Sequence, residues 1–461
     1  MNVLHVNTTD VGGGAEVITM RLHEKTRSRG HQSRVAVGLK RGHDPDVFEL
    51  EHDRYRNGWA RTCIGMAEIL KPLRGKFRGS YRMYDWLQMG IGQPRRNRAI
   101  LRGDEDFDFP GTWRIFEHAP QHPDVLHLHN LHGNYFDLRA LPWLSDRVPV
   151  FVTLHDSWML TGHCAHSFSC DRWKEQCGEC PDLNSFPSVL KDNTSHNWKL
   201  KAEIYERSRL RVASPSRWMM NRIEQSIIQR GISETRIIPN GVDLSIFSPG
   251  DKFATRDVLQ ISRDAKVLIF AAQNARRNSF KDFQMIRVAL KAVAARITDV
   301  PLVFIALGQD APTEREENLE LRSIRFEKEP TLVAQYYQAA DLYLHAAKAE
   351  TFGLAITEAM ACQTPVVATA VGGILDQIDD GVNGLLVPPA DSEEMARAII
   401  TVLESPTLHR KLAWSASRTA REKFGLDRMV DRYLSWYSEG LEATKKTCSA
   451  SSRANTAEVR K

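Results

Sequence analysis

The chain has little that would tie it to a membrane span, a disulfide scaffold or a nucleic acid. No stretch of its 461 residues approaches the ~18 consecutive apolar residues of a spanning helix. Its first residues, MNVLHVNTTDVGGG, lack the charged-then-apolar pattern of a signal peptide. Cysteine is scarce, seven in all, too few in a chain of this size for a secreted disulfide framework. A net charge of +5 is mild, and no nucleic-acid-binding module accompanies it. These absences predict a cytoplasmic protein that binds no nucleic acid. Two further patterns are missing. The dinucleotide fingerprint fails because Val17 stands where its third glycine belongs. No Asp-x-Asp pair sits at a strand end to hold a catalytic divalent ion.

What is present is ordinary globular composition, 42% hydrophobic and 26% charged, at a length that calls for two cores. Asn2 to Asn7 reads as a buried strand, Ala15 to Ser28 as a helix and Ser33 to Val37 as the next strand. That opening belongs to a parallel, doubly wound sheet. Gly12, Gly13 and Gly14 lie at the helix start, where backbone N–H groups can approach a phosphate or a reacting sugar; a plain tight turn explains them equally well. The sheet resumes at Val125 to His129 and Val150 to Leu154. The second of these runs into His155, a polar residue past a strand's carboxyl end, where ligands bind in open α/β sheets.

Residues 40–120 interrupt the alternation. Nine Lys or Arg lie between Lys71 and Arg102 against one acid, Asp85, with Tyr81, Tyr84, Trp86, Leu87 and Met89 interleaved. Such an insertion suits an anionic membrane surface, and a solvated helical cover suits it as well. Further on, Cys164, Cys170, Cys177 and Cys180 fall within one short loop, 163–181. The CGEC pair has zinc-knuckle spacing and four thiolates can close a structural site, although the first pair is more widely spaced than a knuckle requires; a disulfide is the alternative.

A second series begins at Lys266 to Ala272, followed by Leu302 to Ala306 and by helices at 391–404 and 407–439. The loop after its first strand carries Arg276, Arg277 and Lys281, cations that can neutralise a diphosphate. Its most informative stretch is YLHAAKAETFGLAITEAMACQTPVVATAVGGILDQIDDGVNGLLVP, Tyr343 to Pro388. Glu350 and Glu358 are separated there by seven residues and flanked by glycine turns at strand ends, which suits a polyhydroxylated, phosphorylated ligand. Alone, each Glu would be an acid at a helix start or on a solvated helix face.

With GGGAE near the start, His155 at a strand end, Pro239-Asn240-Gly241-Val242-Asp243 and the Glu-x7-Glu block, the sequence resembles the retaining glycosyltransferases of family 4. The resemblance covers nearly the whole chain apart from residues 40–120 and the tail. It implies the GT-B architecture: α/β, two facing Rossmann-like domains with parallel sheets and an interdomain cleft. The expected domains are 1–248 on the acceptor side and 249–442 for the nucleotide-sugar, the last helix packing back on the first domain, and a disordered tail at 443–461.

The resemblance also assigns roles. Glu350 would meet the donor sugar or the reacting centre, and Glu358 the ribose. Lys281 with Arg276, or Arg277 in its place, would hold the departing diphosphate. Backbone at Thr351, Phe352, Gly353 and Leu354 would face phosphate, Gly13 and Gly14 would line the opposite wall, and His155 would lie near sugar or acceptor. The partners implied are a nucleotide-diphosphate sugar and a glycan or lipid-linked acceptor in exopolysaccharide assembly, on the inner face of the cell membrane. No catalytic cofactor is implied, and the front-face and double-displacement routes to retention both stay open. Three positions depart from the family pattern: Asp282 follows the loop lysine instead of glycine, Cys362-Gln363 precedes Thr364-Pro365, and Asp376 follows the glycine pair.

Overall fold

A computed structural model describes residues 1–118, 121–274, 276 and 278–458 of the chain, with side chains to 445. It divides into two compact units. The first comprises 1–214, 220–236 and the chain from Tyr433 onward; the second comprises 215–219 and 237–432. The main crossing therefore falls at Ile237, ahead of the turn at 248–250.

The first unit is built on a seven-stranded sheet in the order β3-β2-β1-β4-β5-β6-β7. Its strands are β1 (Asn2–Thr9), β2 (Gln32–Leu39), β3 (Val47–Glu49), β4 (Val125–Leu128), β5 (Val150–Thr153), β6 (Leu210–Ser214) and β7 (Ile232–Ile237). The central strands pair in parallel, with Val3 opposite Val125 and Leu126 opposite Val150. They are short, β-branched and buried on both faces, as a sheet covered by helices on each side requires. Over 40–118 the described residues are mostly helical, with helices at Gly58–Leu70, Ser80–Asp85 and Pro94–Arg102, and contribute β3 to the sheet.

The second unit carries another seven-stranded sheet, ordered β10-β11-β9-β8-β12-β13-β14. These are β8 (Lys266–Ala271), β9 (Leu302–Leu307), β10 (Glu314–Glu316), β11 (Leu319–Ile324), β12 (Leu342–His345), β13 (Val366–Thr369) and β14 (Leu385–Val387). Only the β10–β11 hairpin is antiparallel. Two apolar clusters cover its faces, one around Leu268, Phe304 and Ile399, the other around Ile269, Ile305 and Ile356.

Two expectations are corrected. The helix read over 407–439 is two, Pro406–Lys423 and Leu426–Glu458. The break at Gly425 has a cause: Val242 N–H donates to Phe424 O at 2.8 Å and Leu426 N–H to Val242 O at 2.9 Å, which draws the chain out of the helix. The tail expected to be disordered from Ala443 is drawn as a continuation of helix Leu426–Glu458.

Candidate active site

In the second unit the sheet order reverses between β8 and β12. Ligands of open α/β sheets bind beyond the carboxyl ends of strands at such a point. The loops leaving these two strands are stitched together there. Lys281 forms an isolated antiparallel bridge with Ala347, Asp282 N–H donates to Ala346 O at 3.1 Å, and Lys348 N–H to Phe280 O at 2.9 Å. Asp282, the departure from the family's glycine, caps helix Phe283–Arg296 by accepting from Met285 N–H at 3.1 Å. Thr369, at the end of β13, clamps the other loop by accepting from Ala347 N–H and donating to Ala347 O, both at 2.9 Å.

This stitching brings three charged or titratable groups to one place. Lys281 Nζ donates to Glu350 Oε2 and lies 3.0 Å from His345 Nε2. His345 Nε2 is 3.2 Å from the same carboxylate oxygen, and its Nδ1 is 2.7 Å from Tyr343 OH. Burial alone would push the Glu350 carboxyl up; Lys281, together with His345, holds it well below its ordinary value, so it is ionised at neutral pH. Burial and the Lys281 charge lower His345 to about 4, so the imidazole is neutral. The result is an ammonium and a carboxylate sharing a buried imidazole. The sequence reading named Lys281 and Glu350 but passed over His345 and Tyr343, which look like core positions of an apolar strand.

The glycine pair supports Glu350 from below. Gly373 N–H donates to Glu350 O at 2.8 Å. Gly372 has φ +56°, and a Cβ there would stand 2.1 Å from Glu350 O; one on Gly373 would stand 1.9 Å from Thr351 O. No residue with a side chain fits this approach. Thr351 and Phe352 are buried, and the Phe352 ring packs edge-on against Phe424. Gly353 caps helix Leu354–Ala361, and its backbone is engaged twice by Gln377: N–H to Oε1 and O from Nε2, each at 3.0 Å. The Gly353 N–H expected to face phosphate therefore already has a partner in Gln377.

Glu358 lies on the same helix, half-buried, with Tyr337 OH 3.5 Å from its Oε2. Arg276 does not join Lys281. It pairs with Glu314 on β10, which Arg287 also holds at 2.9 Å, and its backbone N–H donates to Gln309 Oε1 at 3.2 Å. Arg277 lies outside the described residues. Asp376 accepts from Trp218 N–H at 3.0 Å.

In the first unit the order reverses between β1 and β4. Gly12 and Gly13 precede helix Gly14–Ser28, but the group over them is the chain's own Glu16: a Cβ on Gly13 would meet Glu16 Oε2 at 3.3 Å. The carboxyl accepts from the backbone at Gly13 and Glu16, while burial raises its pKa. The chain's own Glu16 thus lies at this helix start, against the glycines expected to line a phosphate or sugar site. His132 Nε2 meets Asp156 Oδ2 at 2.7 Å. Burial would lower His132, but Asp156 and Glu16 raise it; burial would raise Asp156, but His132 lowers it.

His155 Nε2 lies 3.0 Å from His129 Nδ1, the outer member of a buried imidazole cluster. His5, opposite His127 in the β1–β4 register, and His129 complete it, with ligand nitrogens of these three all within 4.8 Å of one another. Tyr437 OH lies 2.6 Å from His127 Nδ1, and Thr153 Oγ1 is 2.8 Å from both His127 Nε2 and Tyr433 OH. Burial lowers every member, His5 to about 3 and His155 to about 4. A cavity of about 300 Å³ opens beside this region, lined by Arg96, Asp104, Glu105, Asp106, His132 and Trp158 among others.

Comparison with known proteins follows this geometry. Residues 265–405 match the family profile described as Glycosyl transferases group 1. D-inositol 3-phosphate glycosyltransferase of Geodermatophilus obscurus is 33% identical over 225 residues, 45% of this chain and 48% of that protein. Its counterpart from Saccharomonospora viridis is 33% identical over 229 residues, covering 46% and 52%. The chain thus spans about half the length of the curated relatives it matches. Among solved structures, sucrose-phosphate synthase from Thermosynechococcus elongatus superposes with TM-score 0.61 at 18% identity, over 96% of this chain and 99% of that one. Anabaena Alr3699/HepE in complex with UDP and glucose gives 0.61 at 18%, over 95% and 99%. These likenesses share the GT-B fold of two α/β domains. A second profile, described as Glycosyltransferase Family 4, matches residues 12–246, just over half of the 461, and the chain belongs to that family.

Proposed function

We propose that the chain transfers a sugar from a nucleotide-diphosphate sugar to a hydroxyl of an acceptor, with retention of anomeric configuration. The observation that carries the reading is the Lys281–Glu350–His345 cluster at the switch point of the second sheet. In the reaction the anomeric C–O bond to phosphate breaks, the diphosphate leaves with the electron pair, and the acceptor oxygen bonds to the anomeric carbon. The acceptor proton passes to a phosphate oxygen on the front face. Lys281 turns from Glu350 to the departing diphosphate, where a positioned cation in a dry site counts most. Glu350, ionised, meets sugar hydroxyls and positive charge at the anomeric centre, and Glu358 the ribose.

For the acceptor we favour an uncharged glycan or lipid-linked sugar, as in polysaccharide biosynthesis. In the 300 Å³ cavity the cation Arg96 is already held by Asp106 at 2.5 Å, which leaves it less available to a phosphorylated group. The second reading, an inositol phosphate acceptor, is supported by the names of the relatives. Incubating the chain with labelled nucleotide-sugars and both acceptor classes, then reading the anomeric coupling of the product by NMR, tests both. Free sugar as the only product, or an inverted linkage, would sink the proposal.

The same reading includes peripheral contact with an anionic membrane. Among the described residues no helix is long and apolar enough to cross one. In the basic insertion, however, Trp59, Ile69, Phe77, Tyr81 and Trp86 are each between 49% and 77% exposed. Apolar rings among cations suit the headgroup region of an anionic bilayer. Sedimentation with phosphatidylglycerol vesicles but not with phosphatidylcholine vesicles is the expected result, lost in Trp59→Ala/Trp86→Ala.

A further inference from the structure

The cysteines of loop 163–181 take no part in the chemistry above, yet the fold gathers them. Cys164, Cys170, Cys177 and Cys180 all line one small cavity of about 20 Å³, together with His163. That is room for one water-sized body. All four are free thiols, and no three of their Sγ atoms lie within 4.8 Å of one another.

Three features separate this cavity from a packing void. His163 Nδ1 faces Pro187 O at 2.8 Å, so Nδ1 carries the proton and the Nε2 lone pair points to Cys180 Sγ, 3.4 Å away. A backbone carbonyl orients metal-site imidazoles in the same way. Gly162 N–H donates to Cys177 Sγ at 3.3 Å, a bond that a thiolate accepts far better than a thiol. Cations also reach the cavity wall: Lys201 Nζ donates to Thr161 O at 3.0 Å and Arg222 Nη2 to Ser167 Oγ at 2.6 Å. Lys201 is shared with Glu105 at 2.8 Å.

We infer that Cys164, Cys170, Cys177 and Cys180 bind one zinc ion, which draws their sulfurs together beside the His163 ring. Binding releases four thiol protons to solvent and leaves a doubly negative Zn(SCys)4 centre, which Arg222 and Lys201 offset. Four protein ligands leave no open position, so the ion is structural. Its consequence lies next door. Pro187, whose carbonyl holds His163, begins the segment 187–190 that walls the 300 Å³ cavity. The ion fixes that wall.

Metal content tests this without any activity assay. The full chain is refolded with excess Zn2+ and reductant, dialysed against metal-free buffer and measured by inductively coupled plasma mass spectrometry. The expected content is about one zinc per chain, in keeping with a closed four-cysteine site. Cys177→Ser/Cys180→Ser should lose it and Cys63→Ser should keep it. Titrating the unmutated chain with a mercurial should release zinc in step with these four thiols, which decides the matter even if the double variant does not fold. A wild-type chain without zinc, a double variant that keeps it, or iron in its place overturns the assignment.

Discussion

Lys281 and Glu350, 69 residues apart in the chain, are joined by a direct ion pair, and both rest on the same nitrogen of His345. Their side chains are only 12% and 17% exposed, so each ion depends on the other. Removing one partner of a buried pair costs about 3–5 kcal/mol, whereas replacing both by uncharged groups can be neutral. Lys281→Met should therefore lower both stability and turnover, the latter by about a hundredfold. Lys281→Met/Glu350→Gln should recover the stability and remain inactive. Denaturant unfolding and initial rates on the same samples separate the two effects; a double variant that regains turnover would remove Lys281 from catalysis.

Tyr343 acts through His345. Tyr343→Phe removes the 2.7 Å bond to Nδ1 and should cost about 1 kcal/mol, seen as a fall in kcat of up to about tenfold with KM unchanged. As a positioning residue it should also move the acid limb of the kcat–pH profile. A profile identical to the parent's would leave only a packing role.

Glu358→Ala is expected to weaken donor binding by one to two orders of magnitude, the scale of about 1.5–3 kcal/mol for a hydrogen bond to a charged group. Calorimetric titration with the nucleotide-sugar that the chain turns over measures it directly. The unfolding midpoint should shift little, since Glu358 is half-buried.

Gly373→Ala should be among the most destabilising small changes in the second unit, by more than about 2 kcal/mol, because its Cβ would overlap Thr351 O at 1.9 Å. Gly381→Ala is the contrast. Unlike Gly373 it has a positive φ, +68°, and nothing lies within 4 Å of its Cβ, so its cost is conformational alone. Equal losses at the two positions would remove the steric argument.

Acid should unfold the first unit early. His5, His127, His129 and His155 are neutral in the fold with lowered pKa values, while in the unfolded chain each titrates near 6.5. The unfolded chain binds more protons below that value, so stability is full above about pH 6.5 and falls as pH drops towards 4, by up to about 1.4 kcal/mol per pH unit per group. His132, raised by Asp156, works in the opposite sense. Unfolding midpoints between pH 7.5 and 5 test this, and a flat profile would contradict the burial of these imidazoles.

The two sheets were legible in the sequence because their central strands are continuous buried apolar runs. Lys281 and Glu350, which the fold brings together, stand at positions that the family spacing marks. What escaped has physical causes. His345 reads as one more strand residue until the loop after β8 brings Lys281 beside it. Arg276 reads as a free cation because its partner, Glu314, sits on a three-residue strand of sequence Glu-Arg-Glu that carries no apolar pattern. Glu16 looks like a helix-start acid, and only the fold brings it over the glycines.

The tyrosines of the last helix also bear on the order in which the protein is made. Tyr433 and Tyr437 complete the hydrogen bonding of Thr153 and His127, residues 280 and 310 positions earlier. At ~5–20 residues per second, a ribosome needs on the order of tens of seconds to supply them. During that interval the first sheet has emerged with its imidazoles lacking these hydroxyl partners. The N-terminal half is thus the first to be synthesised and the last to be finished, a long-range closure that favours slow folding and chaperone contact while the second unit is being made.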